Sequence, residues 1–166
     1  NAGIPGFWPH TALYTGSIDE LNEFFDGLPD LGDKTFSDML KAQYPDIHLG
    51  LQEFDKNKNK MRVLEAKRPG VIFLSLEDSA NCDYFAALRT KCKKEEIYQA
   101  LLNSFQHYKK PYDFNFDFAT DEAMVCSELV YKAYQQTGKL PIPLEQVSGR
   151  GLIPPNSFVK YYGENP

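Results

Sequence analysis

Apolar positions along the chain change their spacing several times, and each change marks an element. After the turn chemistry of Gly3-Ile4-Pro5-Gly6-Phe7-Trp8-Pro9, the stretch from His10 to Gly16 is short, β-prone and closed by a glycine, which predicts a strand. Leu21, Phe24 and Phe25 share one face of a short helix over 18–30, halted at Gly27 and Pro29. A second helix is predicted from Thr35 to Gln43, with Thr35 or Ser37 as its cap. Residues 46–60 read as polar and irregular, ending in the exposed loop tip Lys56-Asn57-Lys58-Asn59-Lys60. Strands are predicted from Met61 to Ala66 and from Val71 to Leu76, on either side of Pro69-Gly70, with a shorter candidate from Tyr84 to Arg89. Ile97, Leu101, Leu102 and Phe105 stand at helical spacing within 95–108. Alternation returns over 112–118, where Phe114, Phe116 and Phe118 form a core face and Asp113, Asn115 and Asp117 the opposite one. A helix opening at Val125-Cys126 turns Leu129, Val130, Ala133 and Tyr134 inward and stops before Gly138. The tail, with Pro141, Pro143, Pro154 and Pro155, is expected to run extended over the surface. With no internal repeat and no linker, the pattern predicts one α+β domain over 1–166, an antiparallel sheet with helices against it.

Composition narrows the classes of function. A chain of 166 residues, 42% hydrophobic and rich in Phe and Tyr, can sustain one real core. The net charge of -5 argues against a nucleic-acid partner, which needs a basic stripe, and against docking on anionic lipid by overall charge alone. No apolar run approaches the roughly 18–20 residues of a transmembrane segment. Cys82, Cys92 and Cys126 are an odd set with no CxxC pair and no His/Cys cluster at metal spacing, so no metal is expected. One disulfide is conceivable, most easily between Cys82 and Cys92.

Cys126 opens a helix, where unpaired N–H groups and the positive end of the dipole favour a thiolate and offer donors for an oxyanion. The competing reading is a small buried apolar residue. Of three histidines, His48 lies in the irregular stretch and His107 near a helix end, where a cation complements the dipole; His10 is left as the candidate base, with an exposed or core-edge histidine as the competing reading. Glu65 interrupts an apolar strand and either faces solvent or fixes an imidazole tautomer.

Four blocks carry a resemblance. Phe7 to Gly16 is similar to the W-x-H-[VT]-[AG]-[IL]-Y-x-G stretch of the circularly permuted papain-like amidases, in the NlpC-related superfamily that also holds the lecithin–retinol acyltransferases. Val63-Leu64-Glu65-Ala66 followed by Gly70-Val71 resembles its V-[IL]-E-A…G-V segment, and the run from Lys110 to Phe118 its K-P-Y-D-F-x-F strand. Cys126-Ser127-Glu128-Leu129-Val130-Tyr131-Lys132-Ala133-Tyr134 is close to the signature of the bacterial YiiX/YebB-like branch.

The resemblance implies a permuted papain-like fold with His10, Glu65 and Cys126 in that order as base, orienting acid and nucleophile. It implies hydrolysis or acyl transfer at an amide or ester of a small-molecule, peptide or lipid substrate through a thioester, with no cofactor. Trp8 is then a candidate cleft wall and Tyr112 a candidate oxyanion donor, each with the alternative of merely covering the sheet edge. Ser127 and Glu128 are expected to cap the helix, and the Ser127 N–H is a second oxyanion candidate. Two departures stand out. The family's G-D strand before the His is missing, which with Asn1 leads us to expect a lost upstream piece; residues 18–60 exceed the expected spacing and read as an insertion or lid. The resemblance also suggests an extracytoplasmic location, and leaves the oligomeric state open. Two rival readings are a non-catalytic ligand-binding module on the same scaffold, and Cys126 as a structural or redox thiol paired with Cys82 or Cys92.

Overall fold

The computed structural model describes residues 6–114, 122–147 and 149–165. Its centre is a three-stranded antiparallel sheet in the order β1 (Leu13–Tyr14), β2 (Met61–Lys67), β3 (Gly70–Ser75). Leu13 stands opposite Leu64, and Glu65 opposite Ile72. The strand predicted from His10 to Gly16 shrinks to two residues. Its ladder ends where Thr15 and Gly16 both donate to Arg62 O, at 2.8 and 3.1 Å, and Gly16 takes a left-handed turn at φ 83°.

Between β1 and β2 run α1 (Ile18–Phe24), a 3₁₀ turn (Pro29–Leu31), α2 (Phe36–Gln43) and α3 (Pro45–Gln52). Ser17 and Thr35 cap α1 and α2 with reciprocal bonds to Glu20 and Asp38. The third helix replaces the irregular stretch expected after residue 46. Pro45 supplies the pre-set φ of a first helical position, and Ile47 and Leu51, four residues apart, bury one face. The loop tip expected at 56–60 is present, closed by Asp55 Oδ1 accepting from the N–H groups of Asn57 and Asn59 at 2.8 Å each. Leu21, Phe25, Leu28, Phe36 and Leu40 from this segment join Leu64, Ala66, Val71 and Leu129 in one hydrophobic core.

After α4 (Leu76–Ser79), residues 81–93 form neither helix nor strand, so the strand considered from Tyr84 to Arg89 is not there. The physical reason is occupancy of the sheet edge. The strap 109–112 already bonds along β3, through Val71 N–H to Lys110 O (2.9 Å), Lys109 N–H to Val71 O (2.9 Å) and Tyr112 N–H to Pro69 O (3.0 Å). Gly70 permits this approach, because a Cβ there would collide with Lys110 O.

Next come α5 (Lys94–Phe105) and α6 (Cys126–Gln135), packed on each other, with α6 also against β2. Gly138 follows α6 at φ 64°, as its position past the helix implied. The alternation expected over 112–118 has the opposite phase where it can be followed. Asp113 is buried toward α6, while Phe114 is exposed beneath the Arg68 guanidinium, 4.9 Å from its ring centroid. Phe116 and Phe118 lie outside the described residues. The tail is not simply extended either. A hairpin of β4 (Glu145–Val147) and β5 (Arg150–Leu152) turns at Gly149, φ 80°, and Pro155 starts α7 (Pro155–Glu164). The architecture is α+β.

Candidate active site

Two backbone hydrogen bonds set the position of Cys126. The strap residues Pro111 and Asp113 bond to Met124, with Met124 N–H to Pro111 O and Asp113 N–H to Met124 O both at 3.0 Å. Met124 and Val125 are fully buried, and Cys126 is the first residue of α6, 4% exposed. Leu129 and Ala133, on the same helical face, anchor α6 in the core. The cysteine therefore stands at the N-terminal end of a rigidly packed helix, where the first-turn N–H groups have no intrahelical acceptor.

His10 precedes β1, and the pairing of β1 with β2 brings it beside Glu65. Its Nε2 donates to Glu65 Oε2 at 3.3 Å, and the ring also hydrogen-bonds the Cys126 thiol. With Nε2 engaged by Glu65, Nδ1 is the ring nitrogen left to serve the thiol. Burial works against a charge on His10, but the hydrogen bonds and charges of Cys126 and Glu65 outweigh it and push the imidazole up to about 10. Glu65 is 2% exposed, in a strand whose neighbours Leu64 and Ala66 are fully buried. Burial opposes its ionisation, yet His10, Ser79 and Lys67 hold the carboxyl below the usual range. Ser79 Oγ–H donates to Oε2 at 2.8 Å, and Lys67 Nζ stands 3.1 Å from Oε1. A buried carboxylate survives only when its oxygens are satisfied in this way.

Other anticipated residues fall around these three. Tyr112 is half-buried, and its hydroxyl is pushed up first by burial and then by the charge of Cys126 nearby. Trp8 is half-buried two residues before His10, its N–H donating to Asn156 Oδ1 at 3.0 Å and its ring edge-to-face with Phe7. Ser127 is not a cap. Val125 holds the capping position, and the Ser127 hydroxyl is buried with no hydrogen-bond partner among the described residues. Glu128 does serve the helix start, its Oε2 accepting from Val125 N–H at 3.3 Å while Oε1 meets Lys132 Nζ at 3.0 Å.

Of the two remaining histidines, His107 stands at a helix end as expected, and His48 is ordered where an irregular stretch was expected. His48 sits in α3, its Nε2 3.2 Å from Ser37 Oγ, because the stretch is a helix. His107 is buried just past α5, and Lys110 Nζ lies 3.0 Å from its Nδ1. All three cysteines are free thiols, so the disulfide considered between Cys82 and Cys92 and any pairing of Cys126 with either are absent.

Sequence reasoning missed Ser79, Lys67 and Lys132. Lys67 lies two residues after Glu65, so the two share one face of β2, and Lys132 lies four after Glu128, one helical turn; both spacings were signals in the chain. Ser79 had none, being brought in by the turn that follows β3. No group of three or more metal-capable side chains occurs among the described residues, and no helix among them is long and apolar enough to cross a membrane.

The arrangement can pass a proton from a thiol to an imidazole fixed by a buried acid, which is the chemistry of a cysteine hydrolase. No curated protein and no solved structure was found to match the chain. The model of the permuted papain-like amidase enzymes, the YaeF/YiiX or C92 family, matches residues 1–163, and the chain belongs to that family of cysteine hydrolases.

Proposed function

We propose that Cys126 is the nucleophile of this amidase, His10 its base through Nδ1, and Glu65 the acid that orients the ring. The observation that supports it most directly is the single imidazole held between the Cys126 thiol and the Glu65 carboxylate. His10 holds the thiol proton as an imidazolium, and the thiolate sulfur attacks a carbonyl carbon. The tetrahedral intermediate collapses as its C–N or C–O bond breaks, and the imidazolium returns the proton to the departing amine or alcohol. Water, activated by the same imidazole, then cleaves the thioester; an amine or alcohol in its place would make the reaction an acyl transfer. The N–H of Ser127 and the hydroxyl of Tyr112 are the donors offered to the oxyanion, and Trp8 forms a wall of the approach. The substrate class is an amide or ester carried by a peptide or a lipid.

Alkylation by iodoacetamide tests the nucleophile. Cys126 is expected to react rapidly below pH 7, and His10→Ala to slow it by about tenfold or more at that pH. Equal rates in the two proteins, rising only near the ordinary thiol range of about 8.5, would remove the pair. Mass mapping separates Cys126 from the exposed Cys82.

A further inference from the structure

One run of apolar side chains leaves the fold without burying itself. In the irregular segment after α4, Tyr84, Phe85 and Leu88 are 69%, 60% and 41% exposed. Scattered exposed apolar residues are ordinary on a protein surface, whereas a contiguous group marks an interface. Phe7, 63% exposed, extends the group, its ring edge-to-face with Tyr84 at 5.2 Å and with Trp8 at 5.1 Å. Because Trp8 lies two residues before His10, the patch begins at the rim of the active site.

Charge says what covers it. From Tyr84 to Lys94 the chain carries Arg89, Lys91, Lys93 and Lys94 and no acid, although the molecule as a whole has a net charge of -5. Arg89 and Lys93 are exposed, and Lys94 is partly committed, its Nζ donating to Asp26 O at 3.3 Å. Four cations thus stand in the six residues 89–94 that follow the exposed rings, bordered by Asp83 and Glu95. Aromatic and aliphatic side chains seated at the headgroup boundary, with lysine and arginine against lipid phosphates, are the usual chemistry of interfacial attachment. Overall charge, which argued against an anionic lipid partner, is the wrong measure when the charge is segregated.

We propose that the 84–94 segment, together with Phe7, docks the protein on an anionic lipid surface with the active-site rim turned toward it. The docking does not depend on the catalytic assignment. Co-sedimentation with phosphatidylcholine vesicles, with and without phosphatidylglycerol, tests it. Wild-type protein and Cys126→Ala are expected to bind the anionic vesicles alike, about tenfold tighter than neutral ones. The combined substitution Tyr84→Ser, Phe85→Ser, Leu88→Ser, and separately Arg89→Glu with Lys93→Glu, are each expected to lose about tenfold or more. These side chains lie in an exposed irregular segment, and unchanged thermal melts would show that the variants fold. Equal binding to both vesicle types, or variants binding as wild type does, would overturn the proposal. So would vesicle-free protein that is dimeric by sedimentation velocity and becomes monomeric in the serine variant, because the occupant would then be a second copy of the chain.

Discussion

Two opposing effects act on the proton of His10. Burial favours loss of the charge, while the Cys126 sulfur and the Glu65 carboxylate favour keeping it, and the second pair wins by enough to bring the ring to about 10. Removing the winners should therefore reverse the shift. In the double variant Cys126→Ala, Glu65→Gln, the imidazole proton resonances are expected to titrate below the ordinary value of about 6.5, and in either single variant between the extremes. NMR titration reads this directly; a ring that stays near 10 in the double variant would mean other charges hold it. The sign for folding follows. A value raised above 6.5 stabilises the fold fully below that pH, and the contribution is lost as pH rises toward 10. At this scale the chain was partly legible. The helix start and elimination made Cys126 and His10 candidates beside their ordinary structural readings, and nothing in the residues distinguished a buried Glu65 from an exposed one, since an acid in a strand reads the same on either face. Family resemblance, not periodicity, made that choice.

At the scale of elements, α6 depends on a carboxylate with no exposure to water. Glu128 is fully buried, and its carboxyl is pushed up by burial against the pull of Lys132 and the Val125 N–H. Breaking a buried pair from one side is far costlier than lacking it altogether. Lys132→Met is expected to destabilise the protein by about 3–5 kcal/mol in urea denaturation at neutral pH. The gap to wild type should narrow on acidification, because a group with a raised folded value gains stability as it takes its proton. A pH-independent gap would place the loss in packing instead. The helices α5 and α6 were legible from their apolar spacing, and α2 from its cap. What escaped were elements begun by proline: α3 at Pro45 and α7 at Pro155 were read as irregular or extended, because proline signals both a break and a first turn. The alternation read over 112–118 misled at Asp113 and Phe114 for a different reason, since alternation states a period but not which phase faces the core.

For the whole molecule, the segment between His10 and Glu65 matters to more than spacing. Phe25 is fully buried, stacked on Phe36 at 4.8 Å and edge-to-face with Tyr98 of α5 at 5.6 Å, so it joins residues 18–60 to the body of the protein. Phe25→Ala is expected to cost about 3–5 kcal/mol in chemical denaturation; a loss below about 1 kcal/mol would show that the segment packs loosely. The α+β class and the antiparallel sheet were legible because β2 and β3 carry strong apolar runs around a glycine turn. The packing of α1–α3 into the same core was not, since nothing local in their sequence names the surface they cover. Finally, the order of the site residues along the chain has a biosynthetic consequence. His10 and Glu65 leave the ribosome well before Cys126, and β1 can pair with β2 before the thiol has been synthesised. The nascent polypeptide can thus hold the paired acid and imidazole before the thiol they are proposed to serve has been made.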